Sequence, residues 1–485
     1  MTIIMLVSKH HQIFLTQNLK NLGIITRPQS GKGLWLSFLL PLCYIISLGK
    51  LEKQTFFDYK ITTIISFGLF LQTLAIYYSL FTDRFNFISN GLLHLSPGLV
   101  SALLIWNCMR QNYVFSIVCG LCTTILYQAL YYRVMKCLPR SFTLGEGAVV
   151  VQGLTLFLFN AFLQLPSIYY TGKSPQTQTT EMASMTPILQ IGLIGILLLV
   201  IAIHFVPLLQ KCVFFYPLLL SFIGLMIALP DSHGMPQVYS FVGFFIKDME
   251  RIAVLLAFIM LMLLAVITVA VFSIGNLQSS TSVRKIFHIL IILVFVPGLI
   301  YQCSLLYVSS VLMLAVFCLL ETVRIIDLPP LAKALNSSVS IFLDEKDVGY
   351  VALTPIYLLV GCSLPLWIHP VPCDITDSAG FDLLKLFSGV LSVGIGDMAA
   401  SFVGVRFGRH KWSNTSKTIE GTLGSIMFQI ISVYCLWQLR IIQLNYLNTI
   451  CVGLAILLNA IVEAKTDQVD NLVLPLITFF ILSFG

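Results

Sequence analysis

Apolar stretches long enough to cross a ~30 Å hydrocarbon core recur along the whole chain. About fifteen candidates are centred near residues 41, 71, 96, 122, 156, 198, 221, 263, 293, 312, 359, 395, 430, 454 and 477. The weakest stand near 96, 156 and 477, because they are short or carry polar residues. The run from Ile191 to Val206 does not alternate polar with apolar residues, as the strands of a membrane barrel would, so these stretches are expected to be helices. Composition agrees. The chain is 58% hydrophobic and 10% charged, where an ordinary soluble domain carries about 25% charged residues. No water-soluble fold can hide that much apolar surface. The expected fold class is therefore all-α, a polytopic integral membrane protein with about 13–15 transmembrane helices.

Lys9, His10, His11, Lys20, Arg27 and Lys32 spread over a long polar lead, which does not match a cleavable signal. The twelve cysteines are scattered through the apolar segments. Cys119 and Cys122 form a lone CxxC without a second pair or a nearby histidine, and are expected to be small buried side chains rather than a zinc or redox site. If all the spans are real, the N-terminus and the loops after even-numbered spans hold most of the Lys and Arg residues. That asymmetry predicts that this side is cytoplasmic. The loop at 370–382, with Asp374, Asp377 and Asp382 and no base, falls on the opposite side. Sequons at Asn336 and Asn414 fall on the cytoplasmic side and are expected to carry no glycan.

The chain divides by polarity. Residues 1–275 have loops of mixed composition and are expected to form a multi-span region that scaffolds the rest or binds a lipid tail. Residues 276–485 hold short, charge-dense loops on the predicted cytoplasmic side and are the expected catalytic region.

The most informative segment runs from Gly394 to Gly424. Asp397 sits in an apolar span beside Gly394 and Gly396, and a carboxylate at membrane depth is costly unless it faces a cavity, a cation or a partner. The loop after it carries Arg406, Arg409, His410, Lys411 and Lys417 among Ser413, Thr415, Ser416 and Thr418, followed by Glu420 and Gly421. Cations mixed with hydroxyls suit a polyphosphate. Glu420 fits such a loop only if it holds a metal or a base, and a nucleotide brings Mg²⁺ with it. The bland alternative is a basic loop that merely anchors topology. Three more clusters share that side. Arg284, Lys285 and His288 have the spacing of one helix face. Asp344, Glu345, Lys346 and Asp347 precede the span near 359, and Glu463, Asp467, Asp470 and Asn471 lie between the last two spans. Each alone reads as a helix cap or snorkelling end; together they describe a phosphate-and-metal site beside lipid. The usual nucleotide fingerprints are missing: Thr171, Gly172, Lys173 and Ser174 lack the upstream glycine of a P-loop, because position 167 is serine.

At these residues the chain resembles the CTP-dependent polyprenol kinases, the dolichol kinase family in particular. GDMAASFVG followed by RHKWSNTSKTIEGT is similar to the family's CTP-binding region, and EAKTDQVDNLVLP at 463–475 to its acidic C-terminal motif. RKIFH at 284–288, FLDEKDVGYVALTPIYLLVG at 342–361 and PRSFTLGE at 139–146 also fit. The chain departs from the family after Trp412, where Ser413 and Asn414 replace the usual Pro and Gly, and His410 is a further position not assumed equivalent. Asparagine tolerates the left-handed turn that glycine would make there.

The resemblance implies transfer of the γ-phosphate of CTP to the terminal hydroxyl of dolichol, at the endoplasmic reticulum membrane, with the active-site loops facing the cytoplasm. The product would be dolichyl phosphate for protein glycosylation. It implies CTP and Mg²⁺ (or a similar divalent cation) as cofactors, dolichol in the bilayer as partner, and no nucleic acid. The expected nucleotide site comprises Gly396, Gly408, Arg409, Lys411, Trp412, Ser413, Asn414, Thr415, Ser416, Lys417, Thr418, Glu420 and Gly421, with Arg284, Lys285 and His288 shaping the same cavity. Arg409, Lys411 and Lys417 are assigned to phosphates, Thr415 and Thr418 as hydroxyl donors. Asp397 is the candidate for Mg²⁺ or for the base, and Glu420 and Asp470 are the further catalytic and metal candidates. The alternatives are a CTP-dependent kinase of phytol, farnesol or diacylglycerol, a lipid-phosphate cytidylyltransferase, and an ion-coupled transporter. A transporter would more often show paired inverted halves, whereas here the polar motifs fall almost entirely in one half.

Overall fold

The computed structural model describes residues 9–50, 57–82, 87–171, 180–230, 236–274, 281–339, 346–370, 373, 383–413 and 415–485. Asp344, Glu345, Asp374, Asp377, Asp382, Asn414 and the segment Gly172–Ser174 lie outside them, as does the side chain of Arg284. Among the described residues the secondary structure is helical, apart from two isolated antiparallel bridges, Pro230 with Pro236 and Lys411 with Thr418. This is the all-α polytopic architecture that the apolar runs demand. Among the described residues ten helices are long and apolar enough to cross a membrane, and five shorter apolar helices fall at the remaining expected positions.

The helices gather into two compact units. The first comprises residues 1–163 with 348–350. It contains α1 (Lys9–Leu22), α2 (Leu39–Lys50), α3 (Phe57–Phe81), α4 (Phe87–Met109), α5 (Tyr113–Cys137) and the first part of α6 (Leu144–Thr171). Buried polar groups knit it together. Gln152 on α6 donates to the Ser37 carbonyl at 3.0 Å and to Thr73 Oγ1 at 3.2 Å, and Tyr77 and Tyr131 both donate to the Leu144 carbonyl at 3.1 Å. In hydrocarbon such groups have no water to fall back on, so pairing them specifies which helices meet. The 139–146 motif has a structural role here. Thr143 and Glu146 cap the start of α6 reciprocally, and Glu146 also holds Arg27 at 2.8 Å in a fully buried ion pair.

The second unit holds residues 164–347 and 351–485. Its elements include α7 (Thr180–Phe205), α8 (Cys212–Ala228), α9 (Gln237–Phe245), α10 (Met249–Ile274), α11 (Thr281–Tyr301), α12 (Cys303–Ile325), α13 (Leu331–Val339) and α14 (Thr354–Ile368). A π-helical stretch, Val390–Asp397, runs directly into α15 (Met398–Phe407), followed by α16 (Ile419–Gln438), α17 (Tyr446–Lys465) and α18 (Asp470–Leu482). Leu358 of α14, Val393 of the π-helical stretch and Leu474 of α18 form a buried core, with Phe287 and Ile291 of α11 and Val462 of α17 packed against it. Helix α18 is 13 residues long, about 20 Å at helical rise, too short to cross a ~30 Å core upright. Its apolar residues are instead buried in the protein. The core thus brings the starts of α11 and α18 and the end of α17 towards one place.

A cysteine pair adds to what the sequence reading expected. Cys303, at the start of α12, forms a disulfide with Cys373. Cys119 and Cys122 are free thiols, Cys119 buried and Cys122 exposed.

Candidate active site

Lys285 and His288 lie one turn apart on α11, so both reach the same neighbour. That neighbour is Asp397. Lys285 Nζ donates to its Oδ2 at 2.6 Å, and His288 Nε2 lies 3.1 Å from the same oxygen. Asp397 closes the π-helical stretch, whose wider turn shifts the register of the helix at this point. Such stretches recur at functional sites. Gly396 stands beside it. A Cβ there would lie 2.7 Å from the Gln429 side-chain amide on α16 and 3.2 Å from the Leu391 carbonyl, so glycine eases the close approach of the two helices. Gln429 is itself held by Ser425 and Asn459, which ties α16 to α17.

Glu463 at the end of α17 and Asp470 at the start of α18 complete the cluster. Carboxylate oxygens of Asp397, Glu463 and Asp470 all lie within 4.8 Å of one another. Lys417 is set among them, with Nζ 2.7 Å from Glu463 Oε1 and 3.3 Å from Asp470 Oδ2. Lys346 reaches Asp470 Oδ2 at 3.2 Å and donates to the Gln468 carbonyl. Burial works against the charge of Lys417, yet Asp470 and Glu463 outweigh it and hold the ammonium above the ordinary lysine range. Lys417 therefore remains a cation at any physiological pH.

The three carboxylates fit a divalent cation. Oxygen-only donors at this spacing match what Mg²⁺ selects, and Asp470 Oδ1 is buried with no hydrogen-bond partner, a costly arrangement unless a ligand completes it. Glu420 is not one of the three. Its carboxylate accepts from the His410 backbone N–H and lies 2.6 Å from His410 Nδ1, on the rim of the loop where His410 is 76% exposed. Among the described residues, Glu420 orders the loop.

The loop from Gly408 to Thr418 folds back on itself. Trp412 N–H donates to the Lys417 carbonyl at 3.0 Å and Ile419 N–H to the His410 carbonyl at 2.8 Å. Trp412 Nε1 donates to Thr422 Oγ1, and Lys465 lies over the indole face. Thr418 caps α16, its hydroxyl accepting from Gly421 N–H at 3.1 Å. Gly421 permits the approach of α15, because a Cβ there would stand 2.6 Å from the Ala400 carbonyl. Thr415 Oγ1 is buried without a partner. Arg409, Lys411, Ser413 and Ser416 are exposed. The structure thus brings Lys285, His288, Asp397, Lys417 and Asp470 into one cluster, and sets Arg409, Lys411 and Glu420 on the adjoining loop. Glu463 and Lys346 belong to the cluster; the sequence reading placed both among the converging polar groups but assigned neither an individual role. Their signal was present, an acidic residue near a helix end and a lysine in an acidic run, but each also fits an ordinary helix terminus.

The dolichol kinase family model matches residues 95–360, a span that takes in Lys285, His288 and Lys346 and ends before the loop. The chain is 33% identical to a dolichol kinase of Bos taurus over 399 residues, 79% of this chain and 73% of the relative. It is 33% identical to a dolichol kinase of Homo sapiens over 398 residues, with the same coverage. A dolichol kinase of Saccharomyces cerevisiae is 29% identical over 296 residues, 59% of this chain and 53% of the relative. No solved structure shows significant similarity. A buried lysine–carboxylate cluster beside a cationic, hydroxyl-rich loop, on a helical membrane frame that aligns with these enzymes over most of its length, leaves one assignment: the chain belongs to the dolichol kinase family.

Proposed function

We propose that this protein is a dolichol kinase that transfers the γ-phosphate of CTP to the terminal hydroxyl of dolichol. The observation that carries the reading is the convergence of Lys285, Lys417, Asp397, Glu463 and Asp470 from five separate segments into one cluster. Phosphoryl transfer asks mainly for positioning and charge neutralisation, and alternating ammonium and carboxylate groups provide both. Lys417, Arg409 and Lys411 hold the donor phosphates, with Thr415 as hydroxyl donor. Asp397, Glu463 and Asp470 would hold Mg²⁺, which when bound neutralises the phosphate oxygens and orients the leaving group. The dolichol oxygen attacks the γ-phosphorus, the bond to the bridging oxygen breaks, CDP leaves, and the hydroxyl proton is lost to water at the membrane boundary, with Asp397 kept as a metal ligand. Lys285 and His288, both on Oδ2, hold that carboxylate in place. Residues 276–485 form the catalytic region, and residues 1–275 serve as scaffold or as the seat of the isoprenoid tail.

The site faces the cytoplasm of the endoplasmic reticulum membrane, and the disulfide supports this orientation. From Lys285 to Tyr301, α11 rises about 24 Å, and Cys303 follows that far end. Likewise α14 starts at Thr354, bonded to Asp347, while Cys373 lies beyond its other end. The bridge therefore joins the ends remote from the cluster, as expected if those ends lie in the oxidising lumen.

Membranes containing the protein, supplied with γ-labelled CTP, Mg²⁺ and dolichol, should yield labelled lipid, and Asp397→Asn should yield none while inserting normally. A fully active Asp397→Asn enzyme would remove the centre of the reading. Label released as pyrophosphate would instead identify a cytidylyltransferase.

A further inference from the structure

The lysines of the cluster are placed where a metal ion would go. Asp470 Oδ2 receives two ammonium groups, Lys346 at 3.2 Å and Lys417 at 3.3 Å, while Oδ1 receives none. Lys285, Lys346 and Lys417 together balance Asp397, Glu463 and Asp470. A divalent cation entering alone would leave a large positive excess in a site partly shielded from water, where charge imbalance is costly. The excess disappears only if a polyanion arrives with the metal and draws ammonium groups away from the carboxylates.

Lys346 is the ammonium best placed to move. Lys417 is held by Glu463 as well as Asp470, whereas Lys346 is held by Asp470 and one carbonyl. Its backbone, in contrast, is fixed by its neighbour. Asp347 accepts from Leu353 N–H at 3.1 Å and from the Thr354 hydroxyl, and Glu321 accepts from Ala352 N–H at 2.6 Å. An anchored backbone with a half-buried, long side chain lets the ammonium swing through several ångströms without disturbing the fold.

Building on the reading of Asp397, Glu463 and Asp470 as the metal site, we propose that Lys346 is a positioning residue that guards it. In the resting enzyme its ammonium holds Asp470 and opposes binding of a bare divalent cation. When metal and nucleotide arrive together, it releases Asp470 and turns to the nucleotide's phosphates. Metal binding is thereby made conditional on the donor.

This role predicts opposite shifts for two ligands in one variant. Mn²⁺ binding to the solubilised full chain, followed by electron paramagnetic resonance without nucleotide, should be several-fold tighter in Lys346→Met than in wild type. Equilibrium binding of CTP in the presence of Mg²⁺ should be several-fold weaker. Lys346→Arg, which keeps the charge, should stay near wild type in both. A lysine that only braces the fold would weaken both ligands together, and that result would overturn the proposal. Mn²⁺ binding that is abolished by Asp470→Asn but unchanged in Lys346→Met would overturn the guard and leave the metal site standing. No Mn²⁺ binding in either protein, with or without CTP, would overturn the metal site and the guard with it.

Discussion

At the scale of single residues, the site is a matter of compensation. Glu463, with its side chain 7% exposed, is tolerated because Lys417 stands 2.7 Å away, and Lys417 is tolerated because two carboxylates share it. Glu463→Gln keeps the shape and removes one charge, while Asp470 still holds Lys417, so the protein should insert and fold. Loss of a direct metal ligand should lower turnover by more than ~100-fold, since even a supporting group around a metal costs 10–100-fold. Steady-state kinetics across a Mg²⁺ series would check this, with most of the activity returning at high Mg²⁺ if Glu463 acts as ligand. Near-wild-type turnover at low Mg²⁺ would exclude that role. Asp397 was legible because an intramembrane carboxylate seldom lacks a purpose, and Lys285 and His288 because their spacing marks one helix face. Glu420 was also legible as a charged residue in the right loop, but the sequence could not say that His410 would be its partner.

Among the elements, close helix approach is what aims the side chains. The contact of α15 with α16 depends on Gly421, and Gly396 eases the contact of the π-helical stretch with the Gln429 side chain of α16. A methyl group at position 421 meets the Ala400 backbone rather than a flexible side-chain tip. Gly421→Ala should therefore destabilise the protein by about 1–3 kcal/mol through overpacking. It should also displace the loop's exit, since Thr418 caps α16 through Gly421 N–H. Thermal denaturation in detergent should show a midpoint lowered by a few degrees, accompanied by weaker CTP binding. An unchanged midpoint would mean that the helices part without cost. The helices themselves were legible from hydropathy, down to the positions of the five short ones. The π-helical register of Val390–Asp397 was not, because glycines beside an aspartate are equally compatible with a kink or a break.

At the scale of the whole molecule, orientation decides function. A nucleotide comes from water and the acceptor alcohol from lipid, so the cluster must open at the membrane boundary on the nucleotide's side. Ser413→Cys, in the exposed part of the loop, should react with a membrane-impermeant maleimide added outside intact microsomes. Cys303 and Cys373 should resist alkylation until they are reduced and the membrane is opened. Glycan on Asn336, or labelling in the reverse order, would invert the topology and with it the proposed site. The boundary at residues 275 and 276, drawn from polarity, falls within the second compact unit and not between the two.

The sequence by itself determined the solvent this protein folds in, the helical class, the approximate positions of its spans and the segment where charge is concentrated. Those properties follow from local composition and periodicity, because in hydrocarbon each helix must satisfy its own backbone. Only the tertiary structure decided which charges meet. Asp397, Glu463 and Asp470 come from three segments, and Lys285, Lys346 and Lys417 from three more, so no spacing along the chain encodes their distances. The physical reason is that like and unlike charges can share a low-dielectric site only in particular geometries. Those geometries are set by glycine-mediated helix contacts and by buried amides far apart in sequence.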